Sequence, residues 1–127
     1  MNTAVIGVGS NIDPERNIAR AKKRIAGDHR LIRTSSFVRT RPIGISDQPD
    51  FLNGVFLIET RFNRKSLRHW LQAMEDELKR DRSLPKYGPR TIDLDIVIWN
   101  GRVVDQDIYQ RDFLKTAVLE VLPDLIL

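Results

Sequence analysis

From Thr3 to Val8 apolar and small residues alternate and then meet Gly9-Ser10-Asn11, a pattern that predicts a strand ending in a turn. Asp13, Pro14 and Glu15 predict a helix start, with aspartate at the N-cap and proline at the first helical position. Ile18, Ala21 and Ile25 then supply an apolar stripe as far as Gly27. Leu31 to Arg39, with Ile32, Thr34, Phe37 and Val38, suits a strand, as does Phe51 to Thr60, dense in Phe, Val, Leu and Ile. Between them Pro42, Gly44 and Pro49 interrupt any regular strand, so Thr40 to Asp50 is a long loop and a candidate binding loop.

Further along, Asn63 can cap a second helix in which Leu67, Trp70, Leu71, Met74 and Leu78 recur at helical spacing and which ends before Pro85. Thr91 to Trp99 alternates cleanly as a strand. Asn100-Gly101 is a hairpin signal leading into Arg102-Val103-Val104, and Phe113 to Leu122 predicts a short final helix. The order strand, helix, strand, strand, helix, strand is that of a split βαβ unit. It implies an α+β fold: a ferredoxin-like βαββαβ antiparallel sheet with helices on one face, plus a C-terminal hairpin strand and short helix.

The 127 residues, 41% hydrophobic, are enough for one core and short for two, so a single domain spanning 1–127 is expected. Zero cysteines exclude disulfides, thiolate zinc sites and thiol nucleophiles, leaving oxygen ligands and histidine for any metal. The sequence carries no 18-residue apolar run, and Met1 to Gly9 runs straight into a strand-like segment, which sets the expectation of a cytoplasmic protein with no membrane partner. The net charge of +4 is unevenly placed: Arg16 to Arg41 holds nine Lys or Arg against the single acid Asp28. Such a cluster suits either a solvated helix face or attraction of polyphosphate.

In Thr91-Ile92-Asp93-Leu94-Asp95-Ile96-Val97 the two-residue period puts Ile92, Leu94 and Ile96 on one face and both aspartates on the other. Their Cα atoms should lie ~6.6 Å apart, where bare charges repel by roughly 2.5 kcal/mol at an effective dielectric of 20. A cation would relieve this; solvent exposure of a half-open strand is the simpler alternative. Upstream, Arg80, Arg82, Lys86 and Arg90 form a density of cations suited to polyphosphate, although Arg80 and Arg82 also fit a helix C-terminus. Magnesium prefers few carboxylates, several waters and phosphate oxygens, which two aspartates among arginines can offer. No G-x-x-x-x-G-K-[ST] occurs, and Gly7-Val8-Gly9-Ser10-Asn11-Ile12 lacks the last glycine of a dinucleotide fingerprint. His29 and His69 read as a turn residue and an exposed helical residue. Phe51 and Asn53 share a face by parity, where a ring can stack and an amide can present both donor and acceptor to a flat heterocycle; ordinary core packing is the alternative for Phe51.

Gly9-Ser10-Asn11, Thr40-x-Pro42-x-Gly44, Asp47-Gln48-Pro49-x-Phe51-x-Asn53 and Tyr87-Gly88-Pro89-Arg90-Thr91-Ile92-Asp93-Leu94-Asp95-Ile96 together resemble the 6-hydroxymethyl-7,8-dihydropterin pyrophosphokinases of folate biosynthesis. The resemblance is collinear from about Thr3 to Arg102 and weaker to Pro123. It implies transfer of pyrophosphate from ATP to the pterin hydroxymethyl oxygen with release of AMP, assisted by two magnesium ions. Carried over by position, Asp93 and Asp95 match the metal ligands, and Arg80 and Arg90 the arginines assisting transfer. Gln72, Glu75, Arg82, Tyr87 and Arg111 match the nucleotide side, and Thr40, Pro42, Ile43, Phe51, Asn53 and Phe113 the pterin pocket. The chain departs from the family pattern in lacking a V-P-H segment, whose histidine contacts ATP, and the usual C-terminal extension. Tyr87 replaces a frequent Trp, and Phe51 a frequent Tyr.

Two other readings are open to this sequence. An RRM-like nucleic-acid-binding module shares the element order and suits a pI near 9.8, but Phe51-Leu52-Asn53-Gly54-Val55-Phe56 does not fit its third-strand motif, and paired aspartates on the open sheet face would repel phosphates without a metal. A pterin-binding homologue with lost or altered kinase activity would keep the pocket and release no AMP. The expected partners are therefore small molecules and not nucleic acid, and a monomer is favoured.

Overall fold

The computed structural model of the chain describes residues 1–80, 83 and 88–127. Along the described residues the elements are β1 (Asn2–Ser10), α1 (Pro14–Asp28), β2 (Arg30–Thr34), β3 (Val38–Thr40), β4 (Phe51–Thr60), α2 (Arg64–Glu77), β5 (Asp93–Trp99), β6 (Arg102–Val103) and α3 (Asp112–Val121). A 3-10 turn, Gln106–Tyr109, precedes α3. The strands form one antiparallel sheet in the order β2-β4-β1-β5-β6, with β3 pairing β4 beyond β2. This is the expected α+β architecture of ferredoxin-like type.

Both faces of the sheet are used. Ala4, Ile6 and Val8 of β1 and Phe56 and Ile58 of β4 pack with Ile18, Ala21 and Ile25 of α1 and Leu67, Leu71 and Met74 of α2. Burial of each large side chain of this kind stabilises by about 1.5–3 kcal/mol. Ile92 and Leu94 join this layer, and Ile96 packs against it, as parity requires. On the opposite face Val5, Val55, Leu57 and Val97 meet Leu114, Ala117, Val118 and Val121 of α3. The alternation in β5 slips at a bulge opposite Val5 and Ile6, after which Val97 and Ile98 both join the α3 layer.

Three local expectations need correction. The strand read from Leu31 to Arg39 is two strands. Ser35 interrupts it, donating its N–H to Val55 O (3.0 Å) and accepting the Val55 N–H on its hydroxyl (2.8 Å), which replaces ladder bonds by a side-chain bond. Phe37 then lies in the space a side chain at Gly54 would occupy, where an added Cβ would stand 2.6 Å from the ring. Asp13 holds the N-cap position of α1 but with left-handed backbone (φ 43°, ψ 55°) and no capping bond from its side chain. Asn17 Nδ2 donates instead to Ile12 O (2.6 Å) and fixes the turn before the helix. Asn63, with extended backbone, does cap α2, accepting from Ser66 N–H at 2.8 Å. His29 follows α1 as expected of a turn residue, yet it is only 8% exposed, set edge-on between Phe62 and Trp70.

Two further turns position the site. Asn100 (φ 48°) and Gly101 (φ 80°) make the β5–β6 hairpin with both central residues at positive φ, as a type I′ turn demands. At the end of α2, Lys79 N–H donates to Asp76 O and Arg80 N–H to Glu75 O, both at 3.0 Å, the bond pair of a Schellman motif with Lys79 left-handed at φ 65°. That motif turns Arg80 back over the last turn of the helix.

Candidate active site

The ladder between β5 and β6 covers only Ile98 and Trp99, so among the described residues Asp93 to Ile96 form an edge without a strand partner on that side. A cleft of about 820 Å³ wraps this edge, reaching Leu71, Gln72 and Glu75 of α2 on one side and Phe113 of α3 on the other. Asn53, Gly9 and Asp93 lie in register across β4, β1 and β5, and Asp95 sits opposite Gly7. These positions share the sheet face on which α3 packs.

At Gly9 the missing side chain is functional space: an added Cβ would stand 2.6 Å from Asn53 Oδ1. The Asn53 amide lies over this glycine and donates to Thr40 Oγ1 at 2.6 Å. Thr40, Ile43, Phe51, Asn53 and Phe113 all line the cleft, which provides aromatic faces and an oriented amide. Pro42 is not on its wall.

The charged end is a tight network. Asp93 accepts from Arg80 Nη1 on Oδ1 (3.1 Å) and from Arg90 Nη1 on Oδ2 (2.7 Å). The same Arg80 nitrogen donates to Glu75 Oε2 (2.7 Å), which also accepts the edge N–H of Leu94 (2.9 Å). Glu75 is 3% exposed, so a buried carboxylate is held by a guanidinium and a backbone donor. Removing one member of such a network leaves an uncompensated charge, which is costly. Asp95 is open to the cleft. Its carboxyl is raised to about 7 by desolvation within the cleft walls, then by the charges of Asp93, Glu75 and Asp105, with Arg80 acting in the opposite sense. An acid in this setting gains when a cation joins it. Among the described residues no group of three or more Asp, Glu or His could hold a metal by itself, so the aspartates form an open pair rather than a closed cage.

Asn11 joins the two ends. Only 4% exposed, it accepts the Arg90 N–H on Oδ1 (2.8 Å) and donates from Nδ2 to Gln48 Oε1 (2.8 Å) and Pro49 O (3.0 Å). The loop from Thr40 to Asp50 is thereby fastened to the residue that leads into β5.

A family profile described as 7,8-dihydro-6-hydroxymethylpterin-pyrophosphokinase (HPPK) matches residues 5–123. The chain belongs to the HPPK family. It is 36% identical to the 2-amino-4-hydroxy-6-hydroxymethyldihydropteridine pyrophosphokinase of Haemophilus influenzae, over all of this chain and 86% of that protein. The enzyme of the same name from Bacillus subtilis is 32% identical over 94% of this chain and 78% of its own length. The folic acid synthesis protein fol1 of Schizosaccharomyces pombe is 36% identical over 76% of this chain and 14% of its own. This HPPK family member is an enzyme of pyrophosphokinase type acting in folate synthesis.

Of the residues expected at the site, the structure gathers Arg80, Arg90, Asp93, Asp95, Gln72, Glu75, Arg111, Thr40, Ile43, Phe51, Asn53 and Phe113 around one cleft. Arg82 and Tyr87, with Lys86, lie outside the described residues. Gly9, Arg64, Lys65, Arg68, Asp105 and Asp107 also line the cleft, and Asn11 braces it through Arg90; sequence reasoning assigns none of them to the site. For Gly9 and Asn11 the available signal is their place in the Gly9-Ser10-Asn11 turn that ends the first strand. The three cations carried none, being indistinguishable in sequence from a solvated helix face.

Proposed function

We propose that this HPPK family member transfers the terminal diphosphate of ATP to the hydroxymethyl oxygen of 6-hydroxymethyl-7,8-dihydropterin. The hydroxyl oxygen bonds to the β-phosphorus, the bond from that phosphorus to the α-phosphate oxygen breaks, and AMP, the pterin diphosphate and a proton are released. The observation that carries this reading is one cleft with two chemically different ends: Asp93 and Asp95 beside Arg80 and Arg90, and Asn53, Thr40, Phe51 and Phe113.

The donor set fits magnesium: hard carboxylate oxygens, an open pair of aspartates, and an Asp95 whose charge is short of a counter-ion. Asp93 and Asp95 would hold it, with two ions expected, and when bound it neutralises charge on the phosphate oxygens. The remaining work belongs to the chain. Arg80 and Arg90, held on partly buried Asp93, carry fixed positive charge to the transferred group, with no reorganisation needed when charge moves. Glu75 fixes Arg80, and Asn11 fixes the backbone of Arg90. Asn53, steadied by Thr40, reads the edge of the pterin, while Phe51 and Phe113 supply ring faces and keep water off it. Gln72 and Arg111, which line the same cleft, would contact the nucleotide. In this reading the protein works in the cytoplasm as a single-domain monomer; no helix among the described residues is long and apolar enough to cross a membrane.

Incubation with magnesium, ATP and the hydroxymethyl pterin should release AMP stoichiometrically with the pterin diphosphate. Asp95→Ala should lower the rate by roughly 10³. Pterin binding without AMP above background would overturn the transfer reading and leave a binding homologue.

A further inference from the structure

Arg64, Lys65 and Arg68 of α2 line the cleft, and among the described residues they have no acidic partner. Other cleft arginines are committed: Arg80 to Glu75 and Asp93, Arg90 to Asp93, and Arg111 to Asp107 at 3.6 Å. Arg41 is also without an ion pair among the described residues, but it adjoins Thr40 at the pterin end.

The three cations continue a stripe. Glu75, Gln72, Arg68 and the Arg64–Lys65 pair are separated by three or four residues, which places them on one side of α2. At 1.5 Å per residue, Arg68 lies about 10 Å and Arg64 about 16 Å from Glu75 along the helix axis. The first turn of α2 carries no acid, so the positive end of the helix dipole adds to these charges. Across the cleft Asp105 and Asp107 offer the opposite charge, and the one arginine there is paired with Asp107. Unpaired cationic recognition at this end of the cleft therefore comes from the α2 wall.

We propose that Arg64, Lys65 and Arg68 hold the α-phosphate and nucleoside end of the nucleotide, as a set of binding residues on the α2 wall. This rests on the reading that a nucleoside triphosphate is anchored near Asp93 and Asp95. A triphosphate fixed there and running along α2 brings its α-phosphate and base to the cations. Arginine suits both, since its fork pairs with phosphate oxygens and its plane stacks on a heterocycle. All three side chains sit on exposed positions of the helix, so neutralising them leaves the core untouched.

The test is titration calorimetry of the full chain with the magnesium complex of α,β-methylene ATP, comparing the native chain with Arg64→Gln/Lys65→Gln/Arg68→Gln. The variant should bind about tenfold more weakly and lose most of the salt dependence of Kd, since each partly exposed charge contact contributes modestly and is screened. AMP should weaken by a similar factor, because it carries the end of the ligand these residues are assigned. Equal Kd values for native chain and variant, with the variant folded by circular dichroism, would overturn the inference. Because the ligand cannot donate its diphosphate, the measurement is independent of turnover: binding by the native chain without AMP release from ATP would count against the transfer reading alone.

Discussion

An alanine methyl at Gly9 would stand 2.6 Å from Asn53 Oδ1, closer than a nonbonded carbon can approach. The obstructed group is the end of a side chain, so Asn53 rotates away and loses its 2.6 Å bond to Thr40 while the sheet stays intact. We expect Gly9→Ala to raise KM for the pterin about tenfold, an effect of about 1.4 kcal/mol, with KM for ATP nearly unchanged; steady-state kinetics with each substrate varied in turn checks this. Equal loss for both substrates would mean that the whole cleft, not the Asn53 amide, depends on Gly9. At this scale the legible part of the site was what strand parity can see. Asp93 and Asp95 on one face and Phe51 with Asn53 on another strand required only a two-residue period. The clamp made by Asn11 was not legible, because its partners Gln48, Pro49 and Arg90 are 37, 38 and 79 residues away in the chain.

Elements were legible where the local signal and the tertiary contacts agree. Asn63 is a good N-cap residue and caps, and Asn100-Gly101 is a good type I′ pair and turns. Asp13 and the 31–39 strand misled because the competing partners, Asn17 with Ile12 O and Ser35 with Val55, are chosen by the fold rather than by propensity. The end of α2 shows the same contest with an energetic residue. Lys79 occupies the left-handed position where glycine is usual, and L-residues there lose roughly 1–2 kcal/mol. Lys79→Gly should therefore stabilise by about 0.5–1 kcal/mol once glycine's extra unfolded-state entropy is counted. That corresponds to about 3 °C in Tm, measurable by thermal unfolding. A lowered Tm would show that the packing contributed by the lysine stem exceeds the strain that glycine relieves.

Across the whole molecule, two titrating groups at opposite ends of the fold pull stability in opposite directions over one pH window. Burial lowers the pKa of His29 below its usual 6.5, against the weaker upward pull of Asp28. Its Nδ1 is bonded to Thr60 Oγ1 at 2.9 Å and its Nε2 is buried without a partner. The unfolded chain then takes a proton that the folded one refuses, so this contribution is lost as pH falls through 6.5. Asp95 behaves oppositely: raised from 3.8 to about 7, it is protonated in the folded chain first, so its contribution is present at low pH and is lost as pH rises toward 7. Between pH 7 and 5.5 the two offset, and the urea midpoint of the ligand-free protein should stay nearly level. Asp95→Asn removes one arm and should leave a midpoint that falls on acidification. His29→Phe, which keeps a ring between Phe62 and Trp70, should leave one that rises. Midpoints at pH 7.0, 6.3 and 5.5 for the three proteins decide the matter, and parallel curves would show that neither group governs the window. The offset also has a functional side: on the proposed reading magnesium at the cleft would favour the charged Asp95 and remove its arm, so the magnesium-loaded protein should show the falling profile of Asp95→Asn without any mutation.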